Sequence, residues 1–404
     1  AIAITEASVG MKRRLRSSER RYALTSPIRS IRSSQLRNLY DLTIAHPYLL
    51  EAYEDLLRAI RQPFSRTLVF AYGPTGVGKT TLWQKVQKQI LEDMLPQLEE
   101  DRSRIPFVGI GLASPDNGIF NWKDFHKRFL MAMDEPLINH KAKTEVPTMN
   151  SEGRLQVKVG HRSSIADIRL VTEQALLHRR PIAILIDEAQ HLSKIASGRK
   201  LQDQLDALKS LSNQTGIIIV LLGTYELLVF RNLSAQLSRR SIDIHFRRYP
   251  LDSEEGLRAF QSVLLTFQHH LPLHEEPNLL ARWEYFYERS IGCVGVLKEW
   301  LTRALAEALE NGGRSLTQKH CARYALSISQ CEKMLSDAKE GERRLNESDE
   351  SHQRLRAGLG LLKSETDSAY SAEKGDSVEP KTSTPEKGRR RPGQRKPKRD
   401  PTGE

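Results

Sequence analysis

The sequence predicts an α/β protein, a parallel β-sheet covered by helices, followed by an all-helical lid subdomain. Two observations carry this. Short runs rich in Val, Ile and Leu, at Thr67–Tyr72, Pro106–Leu112, Ile182–Asp187, Ile217–Gly223 and Ser241–Arg247, alternate with amphipathic stretches near 80–95, 122–133, 164–179 and 201–212. Apolar strands joined by helical crossovers form a parallel sheet buried on both faces. After Pro250 the strand signals stop, and helical periodicity runs on to about 337, as in Gly256–Phe267, Val294–Leu309 and Thr317–Leu335.

The segments follow in order. Residues 1–33 contain the basic run Lys12, Arg13, Arg14, Arg16, Arg20 and Arg21 with almost nothing apolar to bury, so they read as a flexible arm. Residues 34–250 form the α/β domain with a helical lead-in from Ser34 to Arg61, broken at Pro47. Within it, residues 139–163 are polar and contain glycine, the pattern of a loop or hairpin insertion. Residues 251–338 are the helical subdomain. Residues 339–404, rich in Ser, Glu, Lys, Gly and Pro and ending in a basic stretch from Arg389 to Arg399, read as a disordered tail.

Charge location matters more than the net +12. Residues 1–38 hold nine Lys/Arg against two acids and residues 339–404 sixteen against thirteen, which leaves the centre nearly balanced. Contact with nucleic acid there depends on local placement rather than on a global field. The three cysteines, Cys293, Cys321 and Cys331, lack CxxC spacing and read as buried reduced thiols. No apolar run approaches the roughly 18 residues of a membrane span, and the first residues lack the order of a secretory signal, so a cytoplasmic protein without a membrane partner is expected.

The strongest chemical signal is Gly73-Pro74-Thr75-Gly76-Val77-Gly78-Lys79-Thr80, followed by Thr81, which fits G-x-x-x-x-G-K-[ST] between a strand and a helix. The glycines let the backbone wrap phosphates with inward-facing N–H groups, and the helix N-terminus adds positive potential. Lys79 is expected to pair with the β- and γ-phosphates of ATP and the Thr80 hydroxyl to ligate Mg²⁺. The apolar run Ile182–Ile186 then ends in Asp187-Glu188. The first acid suits Mg²⁺, and the second suits polarising the attacking water.

Two weaker signals follow. The run Ile217–Leu222 ends in Gly223-Thr224, where Thr224 would sense the γ-phosphate, although a simple turn explains the pair equally well. Ser238-Arg239-Arg240 precedes the last strand, and Arg239 or Arg240 could serve as a finger to a neighbouring subunit's nucleotide or be a solvated basic pair.

In this order GPTGVGKT, ILIDEAQHL, LLGT and LSRR, followed by helices, resemble the AAA+ superfamily of P-loop NTPases. DEAQHL together with Gly292, Gly295, Leu297, Lys298 and Leu301 resembles its TniB/TnsC branch of transposition regulators, related to IstB. The resemblance implies an Mg²⁺-dependent ATPase whose homo-oligomer, a ring or helical filament, forms on double-stranded DNA, recruits transposase subunits and answers to a target-selector protein. It assigns Lys79 and Thr80 to nucleotide and metal, Asp187 and Glu188 to metal and hydrolysis, Thr224 to sensor 1, and Arg239 or Arg240 to the finger. At sensor 2 the pattern departs: where G-x-x-R is common, this chain has Gly292-Cys293-Val294-Gly295, with Lys298 available as a substitute.

For DNA the candidates are Lys123, Lys127 and Arg128 beside Trp122, and Arg154, Lys158 and Arg162 in the polar insertion. Each alone is compatible with a solvated face; repeated around an oligomer they would line a phosphate-tracking channel. Two other classes stay open: a replication initiator or helicase loader, which usually adds a DNA-binding domain that nothing after residue 335 resembles, and a non-DNA AAA+ switch.

Overall fold

A computed structural model of the chain describes residues 44–62, 68–115, 120–136, 145–149, 155–159, 164–194, 198–231, 233, 239–346 and 348–361. The N-terminal arm, most of the lead-in before Pro47, and the basic stretch Arg389–Arg399 lie outside the described residues.

Helix α1 (Pro47–Arg61) opens with Pro at its first position and is capped by His46, whose ring accepts from the Leu49 N–H. Then come β1 (Leu68–Tyr72), α2 (Lys79–Glu100), β2 (Phe107–Gly111), α3 (Trp122–Ala132), β3 (Glu145–Met149), β4 (Leu155–Val159), α4 (Ile165–Arg179), β5 (Ala183–Asp187), α5 (Gly198–Thr215), β6 (Ile218–Gly223) and β7 (Ser241–His245). Five strands make a parallel sheet in the order β2-β5-β6-β1-β7. The polar insertion contains a separate antiparallel pair, β3 with β4.

The central strands β1, β5 and β6 are buried on both faces, which is why they are apolar nearly throughout, whereas the edge strand β7, with Ser241, Asp243 and His245, is only partly buried. In β1, Leu68, Phe70 and Tyr72 join one core with Phe125, Phe129 and Leu205, while Val69 and Ala71 join the other with Leu56, Val86 and Ile90. Helix starts carry the expected caps: Asn121 for α3, and for α4 a reciprocal capping box between Ser164 and Asp167.

The helical subdomain comprises α6 (Glu254–His270), α7 (Trp283–Ser290), α8 (Val294–Glu310), α9 (Gln318–Tyr324) and α10 (Ile328–Leu345). It has its own core of Phe260, Leu264, Phe267, Phe286, Trp300 and Leu301. The switch between cores falls after β7: Phe246 packs with the sheet and Tyr249 with the helices. Helix α10 runs to Leu345, beyond residue 338 where the composition shift set the boundary. It continues because Ala338 and Gly341 are buried and Leu345 packs against a sheet core, contacts that composition does not encode. The chain divides into two compact units at Asn346/Glu347. In the second, α11 (Asp349–Gly358) is capped by Ser348 and has no buried residue. Among the described residues no helix is long and apolar enough to cross a membrane, and all three cysteines are free and buried.

Candidate nucleotide site

Because all five strands of the main sheet are parallel, residues that follow β1, β5 and β6 emerge at one end of it. This brings Gly73–Thr81, Asp187–Glu188 and Thr224 together. The loop after β1 turns through two left-handed glycines, Gly76 (φ 78) and Gly78 (φ 112), conformations that L side chains rarely adopt. Gly78 is the N-cap of α2, so the loop's amides and the helix N-terminus share one concavity. Val77 is buried in the sheet core and Pro74 is buried beside it, which anchors the loop, whereas Thr75 is exposed.

The Lys79 ammonium donates to the carbonyls of Gly73 at 3.1 Å and Pro74 at 2.8 Å. Burial lowers its pKa, partly offset by the nearby charges of Glu188 and Asp187. A desolvated cation whose hydrogen bonds go to neutral carbonyl oxygens suits an anionic ligand. Across the cleft Asp187 is 6% exposed, and its pKa is raised, chiefly by burial. Its Oδ2 accepts from the Thr80 hydroxyl at 3.4 Å, and its Oδ1 accepts from the Glu188 N–H at 2.9 Å.

These residues fit nucleotide and magnesium. The Thr80–Asp187 pair offers a hydroxyl and a carboxylate to a hard cation, which commonly takes one or two carboxylates and completes its shell with phosphate oxygens and water. Among the described residues no cluster of three or more His, Cys, Asp or Glu side chains could hold a metal by itself. Beside the loop, Ile44, His46, Leu49, Thr81, Val294 and Lys298 help line a small, shallow and mostly apolar concavity that opens to solvent.

Glu188 stands at the strand end in a left-handed conformation (φ 54) with its side chain exposed. Thr224 follows β6; its hydroxyl accepts from the Glu226 N–H at 3.4 Å as the cap of the next turn. Arg239 and Arg240 are exposed just before β7. Ser241 pairs with Leu68 and His245 with Tyr72, so the two arginines lie at the opposite end of the sheet from Gly73. Strand rise separates those ends by roughly 13 Å or more, and neither arginine can join its own chain's phosphate loop in this arrangement.

Of the DNA candidates, Lys123, Lys127 and Arg128 lie on α3, where Arg128 pairs with Asp124 at 2.6 Å. Lys158 lies in β4 opposite Val146. Arg154 and Arg162 fall outside the described residues.

Three features escaped sequence reasoning. The helical subdomain docks on the phosphate loop: Val296 N–H donates to Gly76 O at 3.1 Å, and a Cβ on Gly295 would stand 2.4 Å from that oxygen. Its glycine-containing stretch signalled a close approach but not its partner. Gln190 links Glu188 to Thr224. Arg248 reaches α10 through Glu342 at 2.8 and 2.9 Å.

A parallel sheet ordered β2-β5-β6-β1-β7, a glycine-wrapped loop ahead of α2 and a carboxylate pair at the end of β5 define an AAA+ P-loop fold with an AAA-type ATPase domain. In agreement, residues 60–229 match the family model described as AAA domain. No curated protein matches the chain. Among solved structures it is similar to the ORC1 protein of Aeropyrum pernix in complex with DNA, at 16% identity over 72% of this chain and 70% of that one, with a TM-score of 0.48. It is also similar to the ORC2 protein of the same organism in ADPNP–ADP complexes, at 15% identity over 73% and 71%, with a TM-score of 0.47. A Walker-type ATPase of Pyrococcus abyssi aligns at 17% identity over 73% and 75%, with a TM-score of 0.39. At these values none of them assigns this chain a ligand or partner.

Proposed function

We propose that this chain is an ATP-dependent regulator of DNA transposition: ATP stabilises a homo-oligomer on double-stranded DNA, the oligomer recruits transposase subunits at a site chosen by a selector protein, and hydrolysis resets it. The observation that carries the ATPase is the meeting of Lys79, Thr80, Asp187 and Glu188 at one end of the sheet. The transposition step rests on the resemblance of DEAQHL and the Gly292–Leu301 stretch, together with the basic segments at both ends of the sequence.

In the hydrolytic step Glu188 orients a water and accepts its proton as the water oxygen bonds to the γ-phosphorus and the bond to the bridging oxygen breaks, releasing ADP and phosphate. Lys79 holds the phosphate oxygens, and Thr80 and Asp187 would hold Mg²⁺, which when bound would supply positive charge against the charge developing on the phosphate. Arg239 or Arg240, at the far end of the sheet, supports an oligomer in which the finger comes from a second copy.

Electron microscopy and gel shift with duplex DNA in a non-hydrolysable ATP analogue, and again in ADP, test the reading. ATP-dependent rings or filaments on DNA are expected; no nucleotide-dependent assembly counts against it. A mixing assay tests the finger. Inactive Glu188→Gln and inactive Arg239→Ala/Arg240→Ala preparations should recover ATPase activity when combined, since mixed interfaces then contain one intact site. A replication initiator or helicase loader would also assemble on DNA, and failure to bind any transposase subunit while loading a helicase would favour that alternative.

A further inference from the structure

Gln190 is 6% exposed and sits in the turn Ala189–Ser193, directly after Glu188. Its Oε1 accepts from the backbone N–H of Thr224 at 3.3 Å. An amide has one accepting and one donating end, so this backbone donor orients it and turns the NH₂ toward Glu188, where Nε2 donates to Oε2 of the carboxylate. Gly223 makes the room: a Cβ there would lie 2.4 Å from Gln190 Oε1 and 2.9 Å from Leu227 Cδ1.

We infer that Gln190 is a positioning residue that ties the Glu188 carboxylate to the end of β6, so that the base and the Thr224 turn move as one body. The inference rests on Glu188 being the base of ATP hydrolysis. An exposed glutamate has several rotamers to lose on ordering, and proton transfer to it requires one of them. Gln190 selects that rotamer through a single oxygen and leaves Oε1 for water. The Thr224 hydroxyl accepts within its own turn, and it is the Thr224 backbone N–H that carries the position of β6 to the base through Gln190.

The test uses the full chain. Gln190→Leu removes both hydrogen bonds; it should keep the affinity for a non-hydrolysable ATP analogue and the KM, and lower kcat by about 10- to 100-fold, the scale of an ångström of misplacement. Gly223→Ala, which alters neither side chain of the pair, should reproduce the kcat loss. A second readout needs no nucleotide. Gln190→Glu sets two carboxylates against each other and should lower the melting temperature by about 3–6 °C. Adding Glu188→Gln exchanges donor and acceptor and should restore it. If the two substitutions act additively on melting, or if Gln190→Leu retains full kcat while Glu188→Gln abolishes it, the inference is overturned and the ATPase reading stands. If Glu188→Gln leaves kcat intact, the assignment of the base fails first and the inference goes with it.

Discussion

The segment after β7 is held to α10 by a largely buried ion pair, and removing it should loosen the join between the sheet and α10. Arg248 is 8% exposed; its Nε and Nη2 meet both oxygens of Glu342 at 2.8 and 2.9 Å, and its Nη1 donates to Tyr287 Oη and Ile291 O, each at 3.3 Å. Breaking a buried pair from one side costs roughly 3–5 kcal/mol, because the surviving charge is left without its partner. Glu342 keeps a 27% exposed side chain, so water recovers part of that loss, and Arg248→Met should cost about 2–3 kcal/mol. For a body of about 300 residues that corresponds to a drop of about 3–5 °C in melting temperature, read by circular dichroism at neutral pH. The double variant Arg248→Met/Glu342→Leu should recover most of the loss, since apolar replacement of a buried pair is often neutral or better. A drop below about 1 °C in the single variant, or no recovery in the double, would refute the reasoning.

Three further outcomes follow from the site. Lys79→Ala should weaken ATP binding by about 10- to 100-fold in calorimetry, the scale of lost charged hydrogen bonds; unchanged affinity would remove the phosphate cradle. Gly295→Ala should destabilise by about 1–3 kcal/mol, since its Cβ would press on the Gly76 carbonyl and lift α8 off the loop. Unaltered melting there would mean that the subdomain does not dock as described. His46 and His126 are both held down to about 4, by burial first and then by Lys85 and Arg169 respectively. Each stays neutral when folded while the unfolded chain takes up a proton below about 6.5, so their contribution is complete above that pH and is lost as the pH falls toward 4. Melting temperature should therefore decline between pH 6.5 and 5, and His126→Leu should flatten the decline. A profile identical to wild type in that variant would sink the argument.

Local pattern and chemistry were legible in the linear chain: five apolar runs separated by amphipathic stretches, the GPTGVGKT loop, and the acids closing PIAILIDEAQ. Each depends on neighbours in sequence. Two-sided burial writes a continuous apolar strand, left-handed turns write glycine, and a phosphate cradle writes a lysine after it. Strand order, the opposed ends of the sheet that separate Arg239 and Arg240 from Gly73, and the three cross-links through Gly76–Val296, Glu188–Gln190–Thr224 and Arg248–Glu342 were decided by the tertiary structure alone. These join residues up to 220 positions apart, and neither hydrophobic periodicity nor motif spacing records which distant backbone oxygen or carboxylate a side chain will meet once the cores close.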